Sequence, residues 1–218
     1  MKNFLLIILF IPFLLISSCK KKDSNPVNPS PTVTYAGKTY NTVTIGNQVW
    51  LKENLDVGTM IQGNQNTSNN GIIEKYCYNN DPNYCNTYGG LYQWDEAMQY
   101  TTSAGTQGIC PSGWHIPTNA EFQTLAVNVG NDGNVLKAIG QGTGSGVGTN
   151  TSGFSALLAG YRNNYGDFNF LGKYAHFWGS PEYNAASAYS LSLYHSDSYI
   201  NFYYVSKGLG FSVRCLKD

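Results

Sequence analysis

Between residues 38 and 51, KTYNTVTIGNQVWL, β-branched and aromatic side chains gather on both sides of Gly46-Asn47. Thr39, Thr42, Val43, Thr44, Ile45, Val49 and Trp50 favour extended backbone, and Gly46-Asn47 supplies a turn, so the segment predicts a hairpin. Residues 64–71 are polar and aperiodic, which predicts a loop. Over 91–100, Leu91, Trp94, Ala97 and Met98 fall on one helical face. A second helix carries its own start signal. Thr118 and Glu121 have the spacing of a capping box, Phe122, Leu125, Ala126 and Val129 follow at helical intervals, and Gly130 ends the run. Beyond a Gly-, Thr- and Ser-rich loop at 140–153, residues 154–161, 174–179, 187–194, 200–207 and 210–216 read as strands separated by turn residues. Two helices between a hairpin and a C-terminal antiparallel sheet make an α+β domain with long loops.

The N-terminus has a different pattern. Phe4–Ile16 is an apolar run of 13 residues interrupted by Pro12 and preceded by Lys2. It is shorter than the roughly 20 residues a membrane span needs, and it fits the apolar region of a signal peptide. Ile16-Ser17-Ser18-Cys19 resembles a bacterial lipobox, so cleavage behind Ser18 and lipidation of Cys19 are expected, with 1–18 as the signal peptide. Residues 19–32 contain Pro26, Pro29 and Pro31 and predict a solvated tether, leaving 33–218 as the globular domain. Lys20, where an Asp would favour inner-membrane retention, points to the outer membrane, facing the periplasm or the cell surface. The membrane is then a partner through the lipid anchor, since several acyl chains hold stably.

Composition narrows the function classes. Charged residues are 12% of the chain and aromatic residues 14%, with 13 basic and 13 acidic side chains in balance. Soluble domains average about 25% charged. Setting aside Lys2, Lys20, Lys21, Lys22 and Asp23 leaves 9 basic and 12 acidic residues in the globular part, net near −3. No basic footprint exists for nucleic acid.

Four cysteines remain in the globular part, Cys77, Cys85, Cys110 and Cys215. An even number in an exported protein implies disulfides, and three pairings are open. None forms a close Cys-x-x-Cys, which argues against zinc or thioredoxin-like chemistry.

Catalytic patterns are missing from the sequence. The alternating glycines at 140–148 lack the Gly-Lys-Ser/Thr ending of a phosphate loop. Gly153-Phe154-Ser155-Ala156-Leu157 misses the nucleophile elbow at its last position. His115, His176 and His195 are scattered: His115 reads as structural, while His176 and His195 sit where a ligand could touch them. Asp95, Glu96 and Glu121 are not paired for acid–base work and read as surface or capping residues.

Several segments in order resemble the Fibrobacter succinogenes major paralogous domain family of exported bacterial proteins. They include Gly37-Lys38-Thr39-Tyr40, Gln48-Val49-Trp50 with Glu53-Asn54-Leu55, and Tyr88-Gly89-Gly90-Leu91-Tyr92-Gln93-Trp94. Cys110-Pro111-Ser112-Gly113-Trp114-His115-Ile116-Pro117-Thr118, Gly153-Phe154-Ser155-Ala156, Phe177-Trp178 and Gly210-Phe211-Ser212-Val213-Arg214-Cys215 complete the set. Gly179 stands where the family usually has Ser. The resemblance runs from about residue 36 to 217. It implies a C-type-lectin-like fold, near formylglycine-generating-enzyme domains, and the pairings Cys77–Cys85 and Cys110–Cys215. It implies little activity. The copper-binding cysteine pair of the oxidases has no counterpart, because Cys215 is the only late cysteine.

Two stretches are the expected ligand surface. Arg162, Asn163, Asn164, Tyr165 and Asp167 form one turn-rich segment; Trp178, Glu182, Tyr183 and Asn184 form the other. They lie among the aromatics that crowd the last sixty residues, including Tyr161, Tyr174, Tyr194 and Tyr203. Flat rings with hydrogen-bonding neighbours suit polar ligands, sugars among them. Asn79, Asp81 and Asn83, between Cys77 and Cys85, are oxygen donors of the kind calcium takes, though they also make turns without metal; no other cofactor is expected. The expected function is a surface-anchored, non-catalytic binding module for a glycan or a protein. An assembly component of the envelope is the alternative, and a hydrolase a more distant one.

Overall fold

A computed structural model describes Met1 and residues 31–218. The expected signal peptide beyond Met1, Cys19 and all but the end of the expected tether lie outside the described residues. No helix among the described residues is long and apolar enough to cross a membrane.

The expected hairpin forms as β2 (Lys38–Ile45) and β3 (Gln48–Leu51), preceded by β1 (Thr32–Tyr35). That first strand begins at the last residue assigned to the tether. Short β4 (Thr59–Met60) and β5 (Glu74–Lys75) pair in parallel. Then come α1 (Pro82–Tyr88), α2 (Trp94–Ala97), β6 (Trp114–His115), α3 (Asn119–Asn128) and α4 (Gly133–Leu136). The rest is strand: β7 (Tyr161–Arg162), β8 (Phe168–Asn169), β9 (Tyr174–Asn184), β10 (Ser187–Tyr194), β11 (Ile200–Ser206) and β12 (Leu216–Lys217). The architecture is α+β, mostly antiparallel sheet.

One sheet has the order β1-β2-β3-β12-β6, so the C-terminal strand sits beside the N-terminal hairpin. Leu216 pairs with Trp50 and with His115, and the Cys110–Cys215 disulfide fixes the chain end to the segment before β6. Cys77 and Cys85 form the second disulfide, as the family resemblance implies. The capping box of α3 is present in full: Thr118 N donates to Glu121 Oε2 (2.7 Å) and Glu121 N to Thr118 Oγ1 (3.3 Å). Phe122, Leu125 and Ala126 are buried against β9 and β10.

Three strand and helix expectations change. The helix over 91–100 shrinks to the single turn α2, although Leu91, Trp94, Ala97 and Met98 are all buried. Residues 154–161 are not a strand, because Ser155 (φ 58°) and Gly160 (φ 65°) take left-handed backbone that breaks a ladder. Residues 210–215 join their neighbours only through single bridges, Gly210 to Arg162, Phe211 to Tyr92 and Ser212 to Phe177, and the strand begins at Leu216. Helix α1 starts inside the Cys77–Cys85 disulfide loop and carries Cys85.

Much of this loop-rich chain is held by buried cations that bind carbonyls. Lys137 Nζ donates to Tyr194 O and Asp197 O, both at 2.7 Å. Arg214 donates to Leu51 O (3.1 Å), Phe154 O (2.6 Å) and Asn54 Oδ1 (2.6 Å), with its guanidinium over Phe154. Each such group satisfies carbonyls at strand ends and in the adjoining loops.

Candidate functional site

The second sheet has the order β11-β10-β9, and its two faces do different things. Side chains alternate across a strand. Phe177, Leu191, Leu193, Ile200 and Phe202 therefore share the face that packs on α3. Tyr174, His176, Ser192, Tyr194, Tyr203 and Val205 share the other. That second face, with Tyr161 of β7 and Leu209 and Phe211 beyond β11, lines a cleft of about 430 Å³. The turn Asn163–Tyr165 forms part of its rim.

The cleft wall is a chain of rings. His176 stacks on Phe211 at 4.5 Å, and Phe211 stacks on Trp178 at 4.5 Å behind it. Tyr161 meets His176 edge-on at 5.4 Å, and Tyr174 lies 4.7 Å from Tyr194. Offset and edge arrangements of this kind fix ring orientations. The aromatic surface is therefore set before a ligand arrives.

Electrostatically the cleft is neutral. No Asp, Glu, Lys or Arg is among its lining residues. Burial pushes His176 down to about 4, so the imidazole is uncharged at neutral pH. Its Nδ1 lies 2.7 Å from Ser192 Oγ, which leaves Nε2 as the ring's other polar atom. In a neutral imidazole the two nitrogens have opposite roles, one donor and one acceptor. Burial, followed by the hydrogen bond with Tyr203, raises Tyr194, so its phenol stays protonated. The Ser192–His176 pair has the reach of a nucleophile and its base, but a histidine titrating near about 4 is a feeble base at neutral pH.

The two expected ligand stretches separate. Asn163, Asn164 and Tyr165 reach the cleft rim, with Tyr165 88% exposed. Asn163 organises the turn: its Oδ1 accepts from Tyr165 N and Asp167 N, both at 2.9 Å, and its Nδ2 donates to Asp167 Oδ2. Arg162 is not a ligand residue. It is 2% exposed, and its guanidinium binds Gly63 O (2.8 Å), Gly208 O (3.0 Å) and Gln65 O (3.2 Å) while lying over Tyr76. Trp178 is likewise core, fully buried with Nε1 donating to Tyr92 O at 2.7 Å. Glu182 pairs with Lys207 at 2.6 Å, and Asn184 Oδ1 accepts from Ala186 N in the β9–β10 turn. Tyr183 stacks on Tyr204 at 4.0 Å. Tyr204 follows cleft-lining Tyr203 in an extended strand, so this pair lies on the opposite face of the sheet.

Asn79 and Asn83 are exposed, and Asp81 accepts from Asn83 N (2.9 Å) as the N-cap of α1. Among the described residues, no three His, Cys, Asp or Glu side chains gather as a metal cluster. His115 bridges Glu121 (3.0 Å) and Asp218 (2.6 Å), and His195 Nδ1 lies 3.1 Å from Thr143 Oγ1 outside the cleft.

Ser192, Val205, Leu209 and Phe211 were not among the residues the sequence singled out for binding. The period-two pattern of β9–β11 carries part of the signal, since Tyr174-x-His176, Ser192-x-Tyr194 and Tyr203-x-Val205 each place alternate residues on one face. A sequence profile described as the Fibrobacter succinogenes major domain matches residues 43–217. No curated protein and no solved structure matches the chain.

Proposed function

The chain belongs to the Fibrobacter succinogenes major domain family, and on that premise we propose that it is a lipid-anchored, non-catalytic binding module of the bacterial outer membrane whose ligand is an uncharged glycan. The observation that carries this reading is the cleft: preoriented rings, hydroxyl and amide groups at the rim, and no charged lining residue. Burying an ionic group there would leave it without a partner, which disfavours charged ligands. Sugar rings present both an apolar face for stacking and hydroxyls for Ser192, His176 and the tyrosines. A volume of about 430 Å³ lies within the range of small-ligand pockets, about 300–1,000 Å³.

A C-type-lectin-like fold is part of the same proposal. The pairing of chain end with N-terminal hairpin and the long loops around a small sheet support it. The lipobox-like Ile16-Ser17-Ser18-Cys19 and the proline-bearing segment after it support an anchored, tethered display.

The test is a screen of neutral hexose and N-acetylhexosamine oligosaccharides against the full lipoprotein in detergent. Tyr165→Ala/Tyr203→Ala serves as the comparison. Saturable binding of a neutral sugar that falls about tenfold or more in the variant, the scale of losing stacked rings, supports the reading. Absence of binding across the set, or equal binding by the variant, overturns it.

A further inference from the structure

A second cavity, of about 280 Å³, has the opposite character. Lys38, Lys52 and Arg214 line it together with one carboxylate, Glu53. Glu53 is already committed, since Oε2 accepts from Asn41 N and Oε1 from Asn41 Nδ2, both at 2.8 Å. Lys38 pairs with Asp56 at 3.3 Å. Lys52 has no ion-pair partner among the described residues.

Arg214 is 1% exposed and meets no carboxylate. A guanidinium has five N–H donors. Nε and one Nη2 hydrogen reach Asn54 Oδ1, and Nη1 reaches Leu51 O and Phe154 O. One Nη2 hydrogen is left over. Its direct hydrogen bonds all go to amide and carbonyl oxygens, and Glu53 acts on it only through space, so one carboxylate faces the three cations of this cavity and an added anion is favoured. Burial lowers Arg214 to about 9, which still leaves it charged at neutral pH. Ser155, on the same wall, holds a left-handed φ of 58°.

We propose that this cavity is an oxyanion site, taking one carboxylate, sulfate or phosphate group with Lys52 as its point charge and Arg214 at its base. The site is independent of the aromatic cleft and of its ligand. The guanidinium has a single spare donor, so recognition is not the bidentate fork that Arg makes with a carboxylate at a free site.

The test titrates the full lipoprotein with acetate, inorganic sulfate and inorganic phosphate at constant ionic strength held by chloride. The Arg214 side-chain Nε–H resonance reports occupancy. Saturation by acetate alone assigns a carboxylate ligand, and saturation by sulfate or phosphate assigns a tetrahedral one. Lys52→Ala should weaken that binding about fivefold, the scale of one charge-assisted contact at a partly exposed site, and Lys52→Arg should restore most of it. Lys217→Ala, which removes a cation outside this lining, should change nothing. A response that stays linear with every anion, or equal affinity in Lys52→Ala, overturns the proposal. Tyr165→Ala/Tyr203→Ala should leave anion binding intact, which separates this site from the cleft.

Discussion

Glu121→Gln probes a half-buried carboxylate that joins the cap of α3 to His115. In the native chain the carboxylate caps α3 through Thr118 N (2.7 Å) and Thr118 Oγ1 (2.8 Å), and it accepts from His115 at 3.0 Å. His115 is in turn tied to Asp218 at 2.6 Å. Burial alone would raise Glu121, but the bonds from His115 and Thr118 outweigh it and hold the group at about 2, against an ordinary 4.5. At full value that difference is roughly 3 kcal/mol. The side chain is 32% exposed, so screening brings the contribution to about 1–2 kcal/mol. The signs give a window. A depressed carboxylate stabilises the fold fully above its unfolded value and loses this as pH falls toward about 2. His115 is raised above 6.5, chiefly by the Glu121 hydrogen bond, so its share is full below 6.5 and lost as pH rises through its folded value. Urea melts of both proteins from pH 2 to 9 should therefore give a stability difference that grows from pH 2 to 4.5, holds at about 1–2 kcal/mol, and declines in mildly alkaline solution. A difference that is flat from pH 3 to 9 would mean that the Glu121 carboxylate is not held by His115 and Thr118.

Other outcomes follow from the same geometry. Replacing Cys110 and Cys215 together by Ala should cost about 4–5 kcal/mol on the chain-entropy scale, because the bridge spans 105 residues. The same change at Cys77 and Cys85, separated by 8, should cost about half that, both read by denaturant midpoints. Arg162→Leu should destabilise by about 2 kcal/mol, since the buried Gly63 carbonyl loses its donor while Gly208 O and Gln65 O keep bonds from Gln93 Nε2 and Tyr76 Oη, whereas Tyr165→Ala should leave the melt within about 0.5 kcal/mol. Binding of a neutral sugar should be level from pH 5.5 to 8.5, because His176 titrates near about 4; a step near pH 6.5 would place an ordinary histidine in the cleft. EDTA should leave that binding unchanged, since Asp81 is engaged as a helix cap.

What was legible in the sequence was what local chemistry determines. The hairpin about Gly46-Asn47, the Thr118–Glu121 cap, and β10 and β11 depend on short-range turn, cap and alternation rules, and they form within a residue or so of expectation. Trp114 is also buried as its surroundings imply. The failures share a cause. Residues 154–161 and 210–216 are strand-like in composition, but whether they join a ladder depends on partners far away in the chain, and Ser155 and Gly160 turn the backbone out of register. Arg162 and Trp178 looked like binding residues because turn-rich neighbours suggest a surface. Their burial comes from the distant Gly63–Gln65 loop and from Tyr92. The cleft needs three strands, β7 and Phe211 to meet, so only its rim, Asn163 to Tyr165, was visible as a local signal.

Ligand is expected to enter the aromatic cleft of the β9–β11 sheet. The chain has three histidines, and only His176 lines that cleft. Proton–carbon correlation spectra of the imidazole rings, recorded while the protein is titrated with neutral hexose and N-acetylhexosamine disaccharides, separate the alternatives. The His176 ring signals should shift in proportion to saturation while those of His115 and His195 stay in place. Saturable sugar binding that leaves His176 unmoved would contradict entry into the cleft.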